Sequence, residues 1–208
     1  KPLIKVGKIP IIQHKINYYK SQGYKNLTLC LGYKADVLKK FVKNRNKNII
    51  FSKSGENTGI LKRIFLASKN YRNTSIISYG DTLAKINFDD LLTNHRRSKS
   101  LMSLVIAPIK NPFGIVKWNS KNKLISFDEK PILNHFIGYA VFEPKIFKYL
   151  SKNIINAKDG IGIVKAIKFL VSKRYVNIYK YNGLQMTINS VSELKEARSK
   201  IGNYITFS

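Results

Sequence analysis

A carboxylate that follows a predicted strand is the first group in this sequence that could take part in phosphate chemistry. The apolar run Ser75–Tyr79 predicts a strand, and Gly80 and Asp81 come directly after it. Open α/β sheets bind ligands beyond the ends of their strands, where a carboxylate suits Mg²⁺ held together with substrate phosphates. Gly-Asp pairs are also common in turns, so the alternative is a loop aspartate that caps the next helix.

A lysine beside a proline is the second candidate. Lys130 follows the predicted strand Lys123–Phe127 and the acidic pair Asp128-Glu129, and it precedes Pro131. This setting could direct an ammonium group at a phosphate, which lysine binds as a compact point charge. The alternative is an exposed turn that is rich in charge.

A third candidate is the segment from Ser54 to Gly59, which lies between a predicted strand and a predicted helix. Backbone N–H groups at the start of a helix could approach a nucleotide phosphate there. The segment matches neither the dinucleotide-binding pattern G-x-G-x-x-G nor the P-loop pattern G-x-x-x-x-G-K-[ST]. From its spacing alone, a plain turn is the preferred interpretation.

The other reactive residue types give weaker signals. The histidines His14, His95 and His135 lack the spacing of metal ligands, and structural or solvated roles are expected for them. Cys30 lies in an apolar run and is expected to be a small core residue. A single cysteine excludes a disulfide framework and a cysteine-based zinc site. The sequence also lacks the G-x-S-x-G motif of nucleophilic hydrolases.

The elements that must position these groups alternate between strands and helices in the first half of the chain. Strands are predicted over Leu27–Leu31, Ile49–Phe51 and Ser75–Tyr79, and helices over 9–22, Ala35–Val42, 58–69 and Phe88–His95. Further strands are predicted at Leu101–Ala107, Phe113–Trp118, Lys123–Phe127 and Gly138–Phe142. This order predicts an α/β fold: an open, mainly parallel sheet with helices on both faces and added antiparallel strands in the second half. No linker or repeat divides the chain, so residues 1–208 are interpreted as one domain.

The charge of the chain is strongly positive, with a formal net charge of +27. Of the basic residues 31 are Lys and 7 are Arg, whereas nucleic-acid readers favour the planar fork of Arg. Lys, Ile and Asn are all encoded by AT-rich codons, so genome composition can supply much of this charge. Nucleic acid is therefore not the expected partner, although the positive charge attracts phosphates in general. No apolar stretch is long enough to span a membrane, and a cytoplasmic protein is expected.

Several short motifs are each common by themselves, but their order and spacing together are characteristic of one protein family. They are Lys1-Pro2-Leu3-Ile4, Leu29-Cys30-Leu31-Gly32-Tyr33-Lys34, Gly55-Glu56-Asn57-Thr58-Gly59, Leu61-Lys62-Arg63, Tyr79-Gly80-Asp81, Phe113-Gly114, Phe127 to Pro131 and Val141-Phe142-Glu143-Pro144. Together they resemble the sugar-1-phosphate nucleotidyltransferase family, most closely its glucose-1-phosphate cytidylyltransferase-like branch. The resemblance covers nearly the whole chain and implies a Rossmann-like mixed sheet.

The resemblance also implies a site and a reaction. Asp81 matches a Mg²⁺ ligand, Lys130 matches the lysine that holds the sugar phosphate, and Lys1 matches a lysine that contacts the nucleotide phosphates. Further substrate-binding positions are Thr58 and Gly59 near the base, Glu129 at the sugar, and Gly80, Thr82, Gly114 and Gly138. The implied reaction is in-line attack by a sugar-1-phosphate oxygen on the α-phosphorus of a nucleoside triphosphate (NTP), with release of pyrophosphate. Its catalysis is mainly positioning and electrostatic stabilisation.

The sequence departs from the family pattern at four places. The family's first strand and glycine-rich phosphate loop precede the Lys-Pro-Leu element, which here begins at Lys1, so we expect them upstream of this sequence and expect poor turnover without them. The second metal-binding aspartate falls on Asn189, whose neutral oxygen binds Mg²⁺ less well. Phe136-Ile137 replaces the sugar-contacting Asn-Gly or Asn-Ala element, and the segment around Thr58-Gly59 is shorter than in cytidylyltransferases.

Three functions remain open from the sequence. The first is transfer of a nucleoside monophosphate to a sugar-1-phosphate, with CTP favoured and Mg²⁺ as cofactor. The second is a catalytically silent relative that binds a nucleotide or nucleotide sugar, and the third is a basic nucleic-acid-binding module. A homo-oligomer is left open. The enzyme hypothesis predicts that Asp81 lies at the end of a central strand and faces the same cleft as Lys130.

Overall fold

The computed structural model describes residues 1–69, 71 and 73–205. Its strands are β1 (Lys5–Val6), β2 (Ile9–Pro10), β3 (Leu27–Leu31), β4 (Ile49–Lys53), β5 (Ser75–Ser78), β6 (Thr82–Ala84), β7 (Met102–Lys110), β8 (Ile115–Trp118), β9 (Leu124–Asp128), β10 (Ile132–Phe142), β11 (Val176–Lys180) and β12 (Gln185–Thr187). Its α-helices are α1 (Ile11–Ser21), α2 (Ala35–Lys43), α3 (Ile60–Ser68), α4 (Phe88–Ser98), α5 (Lys152–Ile155), α6 (Ile161–Ser172) and α7 (Val191–Ile205). A 3₁₀ helix spans Pro144–Lys148. No described helix is long and apolar enough to cross a membrane.

The largest sheet has four strands in the order β11-β7-β10-β5. β10 is antiparallel to both β5 and β7, whereas β11 is parallel to β7. β5, β7 and β11 therefore run in one direction and β10 opposes them. The predicted mixed α/β class is confirmed. Most hydrogen-bonded neighbours in this sheet are nevertheless antiparallel, because β10 lies between two strands that share a direction.

The other described strands form two-stranded sheets. β3 and β4 pair in parallel, β6 pairs with β12 in antiparallel fashion, and β8 and β9 form a hairpin. β5 lies at an edge of its sheet, so the prediction that Asp81 follows a central strand is wrong within the described residues. The reason is that β10 takes the position beside β5, and no described strand pairs with its other side.

The N-terminus of α4 shows how the sequence fixes a helix locally. The Asn87 side-chain oxygen accepts hydrogen bonds from the backbone N–H groups of Asp89 and Asp90, both at 3.1 Å. The two aspartates also place negative charge near the positive end of the helix dipole. Phe88 and Leu91, on the apolar face of α4, pack into the core, where both are fully buried.

Replacing Asn87 by Ala is therefore expected to lower the free energy of unfolding by about 1 kcal/mol, since two backbone donors lose their partner. Urea denaturation followed by circular dichroism measures the change. Asn26→Ala, at an exposed position outside helices and strands, is the control and should change stability by less than about 0.5 kcal/mol. Equal stabilities of the two variants would show that this cap contributes nothing.

The expected core position of Cys30 is wrong, because the residue is exposed. Side chains alternate between the two faces of a strand, and in β3 Leu31 takes the covered face with 2% of its surface exposed. Cys30 therefore points to the other face. A short apolar run predicts a strand but does not reveal that one of its faces is open.

Two of the histidines have structural surroundings, in line with the roles expected for them. His14 Nε2 lies 2.8 Å from the carbonyl oxygen of Val6. His95 is 2% exposed and bridges Ser103 Oγ at 2.7 Å and Glu143 Oε1 at 3.2 Å. Ser103 is completely buried, and this arrangement links α4 to β7 and to Glu143, the residue after β10.

Candidate functional site

Asp81 lies in the short connection between β5 and β6, and backbone pairing holds the chain on its C-terminal side. Its carbonyl oxygen accepts a hydrogen bond from the backbone N–H of Ile188 at 3.0 Å. The next residue, Thr82, pairs with Thr187 of β12. The chain segment that carries Asn189 is therefore held against the segment that carries Asp81.

Asn189 is itself positioned by the first turn of α7. Glu193 accepts hydrogen bonds from the backbone N–H groups of Asn189 and Ser190, both at 2.7 Å, and Ser190 Oγ accepts one from the Glu193 N–H at 3.2 Å. This reciprocal capping box makes Ser190 the N-cap. The two backbone hydrogen bonds to the Glu193 carboxylate lower the pKa of that side chain. The capping box thereby holds Asn189 at the start of the helix.

Lys1, Asp81 and Asn189 meet although the sequence separates the first and last by 188 positions. The Lys1 ammonium donates a hydrogen bond to Asn189 Oδ1 at 2.9 Å and lies 3.9 Å from Asp81 Oδ2. Gly80 lies against Pro2, since a Cβ at Gly80 would come within 3.3 Å of the Pro2 ring. The N-terminal segment therefore packs directly on the Gly-Asp connection.

This arrangement fits a cation that is shared with a phosphate ligand. An aspartate oxygen and an amide oxygen are directed at one positive charge, and both are oxygen donors of the type that Mg²⁺ prefers. Among the described residues, no group of three or more His, Cys, Asp or Glu side chains could hold a metal ion alone. Because Mg²⁺ is typically bound by one or two protein oxygens together with substrate phosphates, Asp81 and Asn189 suit that mode.

Thr82 and Gly138 lie behind this cluster. The Thr82 carbonyl oxygen accepts hydrogen bonds from Lys15 Nζ at 2.6 Å and from the Tyr139 hydroxyl at 3.1 Å. Gly138 has a φ of +78°, and a Cβ there would come within 2.9 Å of the Tyr79 ring, so the position requires glycine. Sequence reasoning missed Lys15. Its signal was a lysine among Ile11, Ile12 and Ile16, which are buried on α1.

The buried Lys15 makes stability depend on pH. Burial lowers its pKa to about 7, although the negative charge of Asp81 acts in the opposite direction. Above that value the folded protein lacks a proton that the unfolded chain, with a lysine pKa near 10.5, still binds. The free energy of unfolding is therefore expected to rise with pH from about 7 towards 10, by up to about 1.4 kcal/mol per pH unit.

Buried tyrosines set the upper limit of this window. Burial raises the pKa of Tyr18 to about 12, so above pH 10 the folded state keeps a proton that the unfolded chain loses, and stability falls. Urea denaturation at pH 7, 8, 9 and 10 should show a maximum between about pH 9 and 10. The Lys15→Met variant should lack the rise, and a rise of the same size in that variant would contradict the assignment.

A second group of predicted residues lies at the open end of the β8–β9 hairpin, just before β8 and just after β9. A Cβ at Gly114 would come within 2.8 Å of the Phe127 ring and 3.2 Å of Glu129 Oε2, so Gly114 lies directly beside Glu129. Lys130 Nζ lies 3.6 Å from Glu129 Oε1, and its side chain is 67% exposed. In the part of the chain that the structure describes, no hydrogen bond or ion pair joins Lys130 to Asp81. Their common cleft stays a prediction.

The third group contains Thr58 and Gly59, at the start of α3. The Arg63 guanidinium donates hydrogen bonds to the backbone carbonyl oxygens of Leu31, Glu56 and Thr58, which ties the segment to the end of β3. Gly59 lies so close to the Ala157 carbonyl oxygen that a Cβ would overlap it. Arg63 belongs to the motif Leu61-Lys62-Arg63, but its position in that motif predicted no role of its own.

Comparison with known proteins places this geometry in a family. A family model described as "Nucleotidyl transferase" matches residues 1–184. The chain is 26% identical over 205 residues to the bifunctional protein GlmU of Methanocaldococcus jannaschii, covering 95% of this chain and 48% of that protein. It is 25% identical over 225 residues to a probable glucose-1-phosphate cytidylyltransferase of Bacillus subtilis, covering 94% of this chain and 85% of that protein.

A solved structure has the same fold. The crystal structure of a putative glucose-1-phosphate thymidylyltransferase from Bacillus anthracis matches with a TM-score of 0.74 at 17% identity, over 100% of this chain and 88% of that one. The chain spans about half the length of several curated relatives that it matches, including the GlmU protein at 48%. Because one family model covers residues 1–184, this chain belongs to the nucleotidyl transferase family, as its motifs predicted.

Proposed function

We propose that the protein transfers a nucleoside monophosphate from an NTP, with CTP favoured, to a sugar-1-phosphate. The observation that supports this most is the convergence of Lys1, Asp81 and Asn189, which are distant in sequence and combine an ammonium group with two oxygen donors. An oxygen of the sugar phosphate attacks the α-phosphorus, the new O–P bond forms as the bond to the β-phosphate oxygen breaks, and pyrophosphate leaves with the electron pair.

In this proposal each group of residues has one task. Lys1 binds the nucleotide phosphates, and Asp81 with Asn189 holds Mg²⁺ beside them. The chemistry supplied by bound Mg²⁺ is neutralisation of the charge on the phosphate oxygens. Lys130 and Glu129 bind the sugar phosphate and the sugar, and Gly114 leaves room beside them. Catalysis then consists of positioning and of charge stabilisation at fixed groups.

Base recognition is assigned to the third group. Thr58 and Gly59 contact the base, and Gly80, Thr82 and Gly138 form the wall of the site next to the phosphates. The preference for CTP rests on the likeness to the cytidylyltransferase branch. Similar proteins carry names with different nucleotides, such as cytidylyltransferase and thymidylyltransferase. The choice of base is therefore the most specific step of the proposal.

One observation favours a second candidate, a silent relative that binds a nucleotide without turnover. Asn189 brings a neutral oxygen, and this oxygen is already hydrogen-bonded to Lys1. A neutral ligand binds Mg²⁺ less tightly than a carboxylate would.

A substrate panel separates the two candidates. The protein is incubated with Mg²⁺, each of CTP, UTP, GTP, dTTP and ATP, and a set of sugar-1-phosphates, and pyrophosphate release is measured against reactions that lack the sugar phosphate. Release that requires the sugar phosphate and is fastest with CTP is the expected result. Tight NTP binding in calorimetry without release from any pair, also in a chain that carries a first strand and glycine-rich loop ahead of Lys1, would instead support the silent relative.

The remaining expectations stand as predictions. They are a single domain over residues 1–208 and a cytoplasmic location. Association into a homo-oligomer is left open, and sedimentation equilibrium measures it directly. Nucleic acid is not proposed as a partner, and any binding to it should weaken steeply as salt rises towards physiological concentration.

A further inference from the structure

A buried lysine lies directly behind the Asp81 connection. Lys15 is only 4% exposed, and its neighbours on α1, Ile12 and Ile16, are 5% and 2% exposed. Its ammonium donates to the Thr82 carbonyl oxygen and to the Tyr139 hydroxyl, both at 2.6 Å. No carboxylate of the described residues lies within ion-pair distance of it. A buried ammonium without an ionic partner is costly for stability, because neutral acceptors replace water only in part.

The two partners of Lys15 converge on one atom. The Tyr139 hydroxyl also donates to the Thr82 carbonyl oxygen, at 3.1 Å. Lys15, Tyr139 and this carbonyl therefore form a closed triangle of hydrogen bonds inside the core. Tyr139 is itself 1% exposed, so the triangle is held rigidly by the surrounding packing.

Thr82 is the residue after Asp81, and the backbone that follows the Asp81 Cα is held from two directions. On one side β12 and Ile188 hold the segment through backbone hydrogen bonds. On the other side Lys15 and Tyr139 hold the Thr82 carbonyl. With this segment held, the Asp81 carboxylate lies 3.9 Å from the Lys1 ammonium, which is also hydrogen-bonded to Asn189.

We propose that Lys15 is a positioning residue that acts through the Thr82 carbonyl to hold the Asp81 carboxylate towards the metal and phosphates. This inference rests on the proposed function. It also gives a reason for the buried charge: an apolar residue of similar length would stabilise α1 better but would leave the Thr82 carbonyl with one donor. Burial lowers the pKa of Lys15 to about 7, as expected for an ammonium whose neutral acceptors replace water only in part.

The first test separates positioning from stability. Lys15→Met keeps the length of the side chain and removes the charge, and Tyr139 remains as a donor to Thr82. The free energy of unfolding at pH 7 is expected to stay equal or to rise. Calorimetric affinity for CTP in the presence of Mn²⁺ is nevertheless expected to fall by about 10–100-fold, as is typical when an outer partner of a metal ligand is removed. Lys20→Met, at an exposed position on the same helix, is the matched control and should leave the affinity unchanged.

The second test asks whether Lys15 acts through Asp81. If it does, Asp81→Asn lowers the Mn²⁺-dependent affinity for CTP, and adding Lys15→Met to it has little further effect. Independent, additive losses would overturn the proposal, as would normal affinity in a folded Lys15→Met variant. Tyr139→Phe removes the other donor to Thr82 and should weaken the affinity in the same direction, which keeps the test valid if Lys15→Met does not fold.

The proposed function and the positioning role of Lys15 are contradicted by different results. If the unchanged protein binds CTP with no dependence on Mn²⁺ and Asp81→Asn has no effect, the proposed function fails and this inference fails with it. If Asp81→Asn abolishes Mn²⁺-dependent binding while Lys15→Met and Tyr139→Phe do not alter it, the proposed function stands and Lys15 has no positioning role.

Discussion

Replacing Asp81 by Asn is expected to reduce nucleotidyl transfer by about 10²–10³-fold, the size typical for loss of one fixed electrostatic group at a reaction centre. The variant keeps the shape of the side chain and removes its charge. The Lys1 ammonium, 3.9 Å from the carboxylate and hydrogen-bonded to Asn189, would then face two neutral oxygens. Mg²⁺ would lose its charged protein ligand in the proposed site.

The measurement is the initial rate of pyrophosphate release at several Mg²⁺ concentrations. Partial recovery at high Mg²⁺ is expected if the main effect is on metal affinity. Asp36→Asn is the matched control, because Asp36 is an exposed carboxylate whose ion pair with Lys53 is 3.4 Å long and open to solvent. If both variants retained the original rate, Asp81 would not be a ligand in the reaction, and the proposed site would be in the wrong place.

The largest effect on stability is expected for Phe88→Ala, which should lower the free energy of unfolding by about 3–5 kcal/mol. Phe88 is fully buried at the start of α4. Its ring stacks on Tyr19 with centroids 4.7 Å apart and meets the edges of Tyr18 and Tyr24 at 5.6 Å each. Truncation to alanine removes these contacts and leaves a cavity between rigid rings that cannot collapse to fill it.

Urea denaturation at constant pH gives the change in free energy. Phe113→Ala is the control, since Phe113 is 72% exposed and its removal should change stability by less than about 0.5 kcal/mol. A loss below about 1 kcal/mol for Phe88→Ala would mean that the aromatic cluster relaxes around the gap, and that the packing between α1 and α4 is looser than the ring distances indicate.

Local patterns in the sequence were sufficient for most of the elements. The helix predicted over 9–22 contains α1 (Ile11–Ser21), and the strand predicted over Leu27–Leu31 has the same bounds as β3. These predictions succeed because the groups involved lie within a few residues of one another. A cap or an amphipathic face is decided by neighbours along the chain, and the sequence displays those neighbours directly.

The order of the strands in the sheet and the exposure of individual side chains were harder to predict from the sequence. The sequence predicted a strand before Asp81 but placed it centrally, whereas β10 inserts between β5 and β7 and leaves β5 at an edge. Cys30 was expected in the core and is exposed. Which face of a strand is covered depends on elements that are distant in sequence, and an apolar run carries no information about them.

The sequence by itself determined the family, the mixed α/β class and the residue types of the candidate site, because motif order and periodicity are properties of the chain. Only the tertiary structure decided which of those residues meet. It joins Lys1 to Asn189 across 188 positions, and it buries Lys15 behind Thr82. The physical reason is that both contacts depend on the packing of α1, β6, β10 and β12 around one another, and that packing is set by the burial of the whole apolar core.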